Sequence, residues 1–390
     1  MPYPIERLGS LCEFDPSKSE VRGRLEEDPL VSFVPMNELG IGLRMVAGKE
    51  TKPLSSVYKG YTYFADGDVL LAKITPCFEN GKLGIAGGLE NAIGFGSSEF
   101  MVLRPGPRLL AAYLAYFLGQ DEFRTAGQAS MTGAVGHRRV PKEWVESHTL
   151  PVPPLAEQRR IVTILDKAFE EIASAVTNTS DCLAHAEDLF RGARESLFTN
   201  RDKSWKNQPF ANTCENLDGR RRPVTKRDRV PGNVPYYGAS GVVDHVQHHL
   251  FDEDLLLVSE DGANLLARTY PIAFSISGPS WVNNHAHALR FADKRTQVFV
   301  EHYLNSIDLQ PHVTGMAQPK LNQGALNKIN VPLPSLERQA EIVELIERIY
   351  LETQALTGTL SGKLAALTEL KQSLLARAFS GELTRETVAA

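Results

Sequence analysis

The sequence predicts an α+β protein: two mixed α/β domains joined by two long helices that form an antiparallel coiled coil, with a pseudo-two-fold internal repeat. Three observations predict it. Val152-Pro-Pro-Leu-Ala-Glu-Gln-Arg-Arg-Ile-Val162 lies over Leu333-Pro-Ser-Leu-Glu-Arg-Gln-Ala-Glu-Ile-Val343, 181 residues on, and the match runs ungapped to Phe198 over Phe379. Loops drift in length, so an ungapped match of this extent marks one rigid element used twice. Both copies carry apolar or small side chains at steps of three and four, the seam of a coiled coil. Upstream of each copy the halves still match in pieces. Asp68-Val-Leu-Leu faces Asp254-Leu-Leu-Leu and Phe100-Met-Val-Leu-Arg104 faces Ala286-His-Ala-Leu-Arg290, both at 186; Leu8–Glu13 weakly resembles Phe210–Glu215 at 202.

In chain order, residues 1–152 read as a first variable domain. Its strand candidates are Phe33–Met36, Val69–Ile74, Gly84–Gly87 and Phe100–Arg104, with a helix near Leu109–Leu118. Residues 153–200 are the first constant helix. Its seam is 161, 165, 168, 172, 175, 179, 183, 186, 190, 193 and 197, with a stutter at 175–179–183 that locally unwinds a supercoil. Residues 201–333 are the second variable domain, with strands at Val242–Val246, Leu255–Val258, Ile272–Ile276 and Ala286–Phe291 and a helix near Gln297–Ile307. Residues 334–390 hold the second helix, with its stutter at 356–360–364. Ser335 is placed to N-cap it. Asn200 and Gly381 stand where a left-handed residue ends a helix. Gly358 and Gly362 interrupt good helix formers and leave two readings, close helix contact or a break. A helix of about 43 residues is about 65 Å long, and such a seam needs a partner. The economical partner is the other helix, which makes a rod with a domain at each end; packing on its own domain or on other chains is the alternative.

The composition excludes several classes. With 42% apolar and 23% charged residues the chain is globular rather than disordered. The acidic first thirty residues predict no secretory signal, and the longest nearly apolar run, Leu109–Leu118, is too short to span a bilayer. Four cysteines stand alone, without zinc or dithiol spacing. The expectation is a soluble, cytoplasmic protein. Neither a GxxxxGK[ST] phosphate loop nor an Asn/Asp-Pro-Pro-aromatic methyltransferase motif is present, and Gly94-Phe-Gly96 lacks the context of a dinucleotide site. Asp28 with Glu50-Thr-Lys52 imitates a metal-dependent nuclease triplet but sits in a polar stretch read as strandless. His245, His248 and His249, or His285 and His287, imitate metal ligands. Two residues apart on a strand, the last two would simply share a surface.

The formal net charge of −5 hides a basic segment: residues 201–335 hold 15 basic against 13 acidic side chains. Arg220, Arg221, Arg222, Lys226 and Arg227 suit phosphate contacts, which give affinity without sequence information; a solvated loop is the plain alternative. His137, Arg138 and Arg139 in the first half and Lys320 in the second precede matching segments. Gly96-Ser97-Ser98-Glu99 and Tyr236-Tyr237-Gly-Ala-Ser240 are compact polar loops that could reach a groove or could merely be turns. Asn283, Asn284 and His285 offer hydrogen bonds suited to base edges, or form a polar turn before a strand. Lys73 and Glu260 are further candidate DNA contacts. Gln158 and Gln339 recur at the two helix starts and suit either docking or the helix entrance.

Pro153-Pro-Leu-Ala-Glu-Gln158 opening a long helix and Leu374-Leu-Ala-Arg-Ala-Phe-Ser-Gly-Glu-Leu383 closing one resemble type I restriction-modification specificity subunits. Gly94-Phe-Gly-Ser-Ser-Glu-Phe, Tyr236-Tyr-Gly-Ala-Ser-Gly and Leu257-Val-Ser-Glu-Asp-Gly262 are similar to that family's target-recognition domains. The second helix start departs from the pattern, with Ser335 for a proline and Glu337-Arg-Gln339 for Ala-Glu-Gln. The resemblance covers the whole chain. It implies a non-catalytic subunit that binds double-stranded DNA, selecting sequences for two methyltransferase subunits and, where present, two restriction subunits. S-adenosylmethionine would belong to the former, ATP and Mg to the latter, and no cofactor to this chain. Each variable domain would read half of a bipartite, asymmetric target. By analogy with dimeric binders the half-sites would lie about one helical turn apart, roughly 34 Å. A protein-binding coiled-coil adaptor and a metal-dependent nuclease are the alternatives outside this family.

Overall fold

The computed structural model describes residues 3–41, 45–134, 136–201, 204–315 and 318–385. They fall into two compact units, Met1–Thr179 with Lys363–Ala390, and Ser180–Gly362. Each unit therefore combines a globular half with the start of one long helix and the end of the other.

The first unit's strands are β1 (Ile5–Arg7), β2 (Cys12–Phe14), β3 (Leu30–Val34), β4 (Met45–Val46), β5 (Glu50–Pro53), β6 (Thr62–Ala65), β7 (Val69–Ala72), β8 (Leu83–Ala86), β9 (Ile93–Gly96), β10 (Phe100–Pro105) and β11 (Thr149–Pro151). They make one sheet of order β2-β10-β7-β8-β4, a second of order β5-β3-β9-β6, and the ribbon β1-β11. The second unit has β12 (Lys206–Pro209), β13 (Glu215–Asn216), β14 (Pro231–Gly238), β15 (Gly241–Val246), β16 (Phe251–Asp252), β17 (Leu255–Ser259), β18 (Ala273–Ile276), β19 (Pro279–Val282), β20 (Ala286–Arg290) and β21 (Asn330–Leu333). Their orders, β13-β20-β17-β18, β15-β14-β19-β16 and β12-β21, repeat the first unit's strand for strand, β4 excepted. Even the parallel pair recurs, as β3 with β9 and β14 with β19.

Registers sharpen the repeat. Glu13 pairs with Arg104 across β2 and β10, as Glu215 pairs with Arg290 across β13 and β20, so the weak 202 match is structurally real. Leu103 faces Val69, whereas its equivalent Leu289 faces Leu256. The offset at β7 and β17 is therefore 187, and Asp68 corresponds to Leu255 rather than Asp254. One residue of slip exchanges the two faces of a strand. The corrected register puts Val69 and Leu71 under the helix Ala111–Leu118, and Leu256 and Val258 under the helix Lys294–Ser306. With Leu70 and Ala72, or Leu255 and Leu257, buried on the opposite face, these strands read as unbroken apolar runs.

Every strand and helix read from the sequence is present. One stretch was misjudged: Glu50–Pro53 is a strand, because pairing with β3 overrides its polar composition.

The long helices run unbroken over Leu155–Thr199 and Leu336–Ser380. In the second unit Phe198 shares a core with Ile342 and Ile346, while Phe190 packs at a tilt against Tyr350, 5.5 Å between ring centres. In the first unit Ile161 shares a core with Leu375 and Ala378, while Lys371 sits over the Phe169 ring. Rising numbers on one helix meet falling numbers on the other, so the pair is antiparallel. Every seam position read in the first helix is buried or half-buried. In the second, Leu356 is exposed and Thr357 half-buried, which moves the stutter to 349–353–357. Gly358 and Gly362 neither break the helix nor admit a neighbour; a Cβ there would meet nothing within 4 Å. The Ser335 hydroxyl accepts the Arg338 N–H, and Gly381 takes the left-handed conformation (φ 78°). Asn200 does not take it, and instead donates its side-chain amide to Ser196 Oγ.

The helix ends dock alike. Phe379 packs on Tyr113 and Phe117, and Phe198 on the equivalent Phe299 and Tyr303. This explains why an aromatic closes both copies.

Candidate nucleic-acid interface

In both units three junctions meet at one end of the sheet built on β7 or on β17: the residue after that strand, the residue before the neighbouring strand, and an isolated antiparallel bridge. In the first unit these are Lys73 after β7, Glu99 before β10, and the bridge between Thr132 and Arg139, which exchange backbone hydrogen bonds. Lys73 N–H donates to the Glu99 carbonyl, and Val140 N–H donates to the Lys73 carbonyl. In the second unit Glu260, His285 and the bridge between Thr314 and Lys320 take the same places. Glu260 N–H donates to the His285 carbonyl and Leu321 N–H to the Glu260 carbonyl. Lys73, Glu99 and Arg139 thus correspond to Glu260, His285 and Lys320. The backbone is shared; the charges are rearranged.

The side chains pair accordingly. Arg139 donates through Nε and Nη2 to the two Glu99 oxygens at 2.8 and 2.6 Å, which holds that carboxyl below its usual range. In the second unit His285 Nδ1 lies 2.9 Å from Asp261, and Lys320 Nζ 3.2 Å from Glu260. Ser97 N–H donates to the Val34 carbonyl and its hydroxyl accepts the Glu99 N–H. Asn283 repeats both bonds, to the Tyr237 carbonyl and from the His285 N–H. Ser98, His137 and Asn284 are exposed beside these turns.

The remaining residues divide by exposure. Arg222 and Lys226 are exposed, and Arg227 is 94% exposed. Arg220 pairs with Glu253 and lies over the Phe251 ring. Arg138 is half-buried without a side-chain partner among the described residues, and Ser240 is exposed. Tyr236 is buried under Arg229 and its hydroxyl accepts the Val224 N–H, while Tyr237 packs on Phe274. Asn283 is buried too, and Arg221 is only 12% exposed.

Gln158 and Gln339 are buried at the helix entrances. Gln158 accepts the Leu110 N–H and donates to the Arg108 and Pro153 carbonyls. Gln339 accepts the Thr296 hydroxyl and donates to the Pro334 carbonyl.

The imagined metal groups do not assemble. Asp28 accepts from Ser55, and Lys52 lies over the Phe33 ring. His245, His248 and His249 are exposed, and His285 precedes the strand that carries His287, so those two share no face. Among the described residues, ligand-type groups converge only at Asp218, Glu260 and His287, within 4.8 Å of one another. A cation does not fit there. Both His287 nitrogens are already engaged, by the Asp218 carboxylate at 2.6 Å and the Leu321 carbonyl at 2.8 Å, so neither is turned toward a shared cation position. The Arg221 guanidinium lies 2.8 Å from Glu260 and 3.3 Å from Asp218. Burial pushes both carboxyls up, but His287 and Arg221 together draw them below their usual range. Sequence reasoning missed this cluster, because its members lie far apart in the chain.

Among the described residues no helix is long and apolar enough to cross a membrane.

The model of the type I restriction modification DNA specificity domain matches the chain twice, over residues 5–179 and 203–366. The EcoAI specificity subunit of Escherichia coli is 41% identical over 138 residues, 35% of this chain and 23% of that protein. The EcoEI subunit of the same species is 40% identical over 143 residues, so these matches span about a quarter of either relative. The fold matches the HsdS subunit from Thermoanaerobacter tengcongensis with a TM-score of 0.67 at 19% identity, over 98% of this chain and 97% of that one. A chain from a study of complex assembly and conformational transition of the type I R-M system gives 0.79 at 19% identity, over 98% of both. With the family model matching both halves, this chain belongs to the type I restriction-modification DNA specificity family.

Proposed function

We propose that the chain is the DNA sequence-specificity subunit of a type I restriction-modification complex. Each variable domain, residues 1–152 and 201–333, reads one half of a bipartite, asymmetric target. One observation carries this reading: two copies of one fold, each matched by the specificity-domain model, present the same three junctions with different charges. A shared backbone with unlike side chains suits two unlike half-sites on similar DNA. In the first half, Lys73, Ser98, His137, Arg138 and Arg139 contact DNA. In the second, Arg220, Arg222, Lys226, Arg227, Ser240, Asn284, His285 and Lys320 do, with Tyr236, Asn283 and Arg221 supporting them from beneath. Phosphate contacts orient the chain and base-edge contacts specify.

The two long helices set the spacing between half-sites and dock two methyltransferase subunits, joined in complete systems by two restriction subunits. This chain is non-catalytic and works in the cytoplasm. S-adenosylmethionine binds the methyltransferase subunits, and ATP and Mg bind the restriction subunits.

The test is to map methylated sites in a host carrying the complete system, then to exchange residues 1–150 or 201–332 for those of a relative. Each exchange changes one half-site and leaves the other. A change in both halves, or in neither, overturns the reading. Removing one heptad from each long helix shortens or abolishes the unread spacer; an unchanged spacer removes the helices from that role.

A further inference from the structure

Beneath the second unit's three junctions lies a charge cluster that the fold does not require. His287 is 1% exposed on β20 and is held by the Asp218 carboxylate and the Leu321 carbonyl. Arg221 Nη1 donates to Glu260 at 2.8 Å and to the Ala286 carbonyl at 2.7 Å, and Lys320 closes on Glu260 from the rim. At the places of His287 and Glu260 the first unit has Met101, buried among apolar side chains, and Lys73. Part of the arrangement is common to both. Asp15 accepts the Val102 N–H at 3.0 Å, as Asp218 accepts the Ala288 N–H at 2.9 Å. The second unit adds His287, Arg221 and Glu260. Burying charge is costly even when it is paired, so an apolar side chain would hold this sheet more cheaply.

The chain segments tied by the cluster are those that carry the second unit's exposed polar groups. Arg220 and Arg222 flank Arg221, Asn284 and His285 lead into the strand of His287, and Lys320 adjoins Leu321. We propose that His287 and Arg221 are positioning residues for the second half-site: without touching DNA, they fix the register in which these five side chains meet it. The inference rests on the proposed function above. It follows a trade attested in some proteins, in which a buried ionic or polar group gives conformational specificity at a cost in stability.

The test uses the complete methyltransferase assembly with His287→Met, which installs the first unit's residue, and with Arg221→Lys, which keeps the charge and loses the planar fork. Methylation is mapped over all sites that differ from the target by one base pair. The expected result is about a tenfold gain at mismatches in the second half-site only, the size of discrimination that one base pair commonly carries. Arg221→Lys serves as the arbiter if His287→Met does not fold. Unchanged preference in a folded variant overturns the proposal. So does a uniform loss of methylation with both preferences intact, since that is what a purely structural cluster gives. If the native assembly methylates no bipartite target, the proposed function itself fails, and this inference with it.

Discussion

At the residue scale the two helix-entrance glutamines do similar work with different numbers of bonds, and this can be measured. Gln158 donates twice to carbonyls and Gln339 once. A carboxylate in their place cannot donate and turns buried negative oxygen toward carbonyl oxygen. Gln158→Glu should therefore cost roughly 3 kcal/mol and Gln339→Glu less, as urea-unfolding midpoints would show; equal costs would mean that the donated bonds are not what matters. His302 gives a pH dependence. Burial, aided by the nearby Arg194, holds its pKa down at about 4. Between the unfolded value near 6.5 and about 4 the unfolded state binds the extra proton, so stability falls as pH falls through that window. The loss approaches about 3 kcal/mol at its acid end. His302→Gln should remove this component from the pH profile of unfolding, and a profile unchanged by the substitution would assign the acid loss to carboxylates such as Asp218 and Glu260. The glutamines were legible in the sequence because they repeat. His287 was not, because a strand histidine shows nothing of the aspartate 69 residues upstream that holds it.

At the element scale the long helices were the most legible part, because a seam recurring at eleven positions of the first helix needs no tertiary information. Where the seam reading slipped, it preferred Leu356 to Thr357 on hydrophobicity alone, although the neighbours at 353 and 360 set the phase. The two helix glycines offer a direct test. Both face open space in an unbroken helix, so Gly358→Ala and Gly362→Ala should each stabilise by about 0.4–1 kcal/mol, read as a rise in Tm. A fall in Tm would mean that a partner or a second conformation uses the bare backbone. Short strands were the least legible. Cys12–Phe14, Glu50–Pro53, Glu215–Asn216 and Phe251–Asp252 are two to four residues long and mostly polar, and they exist because a neighbouring strand supplies the ladder. The Asp68–Asp254 match failed for a related reason. Identical letters one residue out of register outscore the true alignment until the pairing of Leu103 with Val69 and of Leu289 with Leu256 fixes it.

At the scale of the whole molecule the net charge of −5 is informative once the ion pairs are located. Arg104, Arg139, Arg221, Arg229 and Arg290 all have carboxylate partners within the chain, two of them, Arg139 and Arg221, at or beneath the junctions of the candidate interface. DNA binding draws its affinity from cations that neutralise phosphates and release counterions. Among the basic residues proposed to touch DNA few are free of a carboxylate: Arg222 and Lys226 are exposed, Arg227 is held only loosely by Asp228, and Arg138 has no side-chain partner among the described residues. The isolated chain should therefore bind duplex DNA in the roughly 10⁻⁶ to 10⁻⁴ M range of non-specific contacts at physiological salt, with a shallow dependence of affinity on salt. Adding the methyltransferase subunits should tighten binding and steepen that dependence, because most of the phosphate contacts would be theirs. Titrating labelled target duplex with chain alone and with the assembly, at several salt concentrations, measures both quantities. Nanomolar, sequence-specific binding by the chain alone would show instead that its paired arginines exchange their carboxylates for DNA phosphates, and that the ion pairs at the two sets of junctions are latches opened by the target.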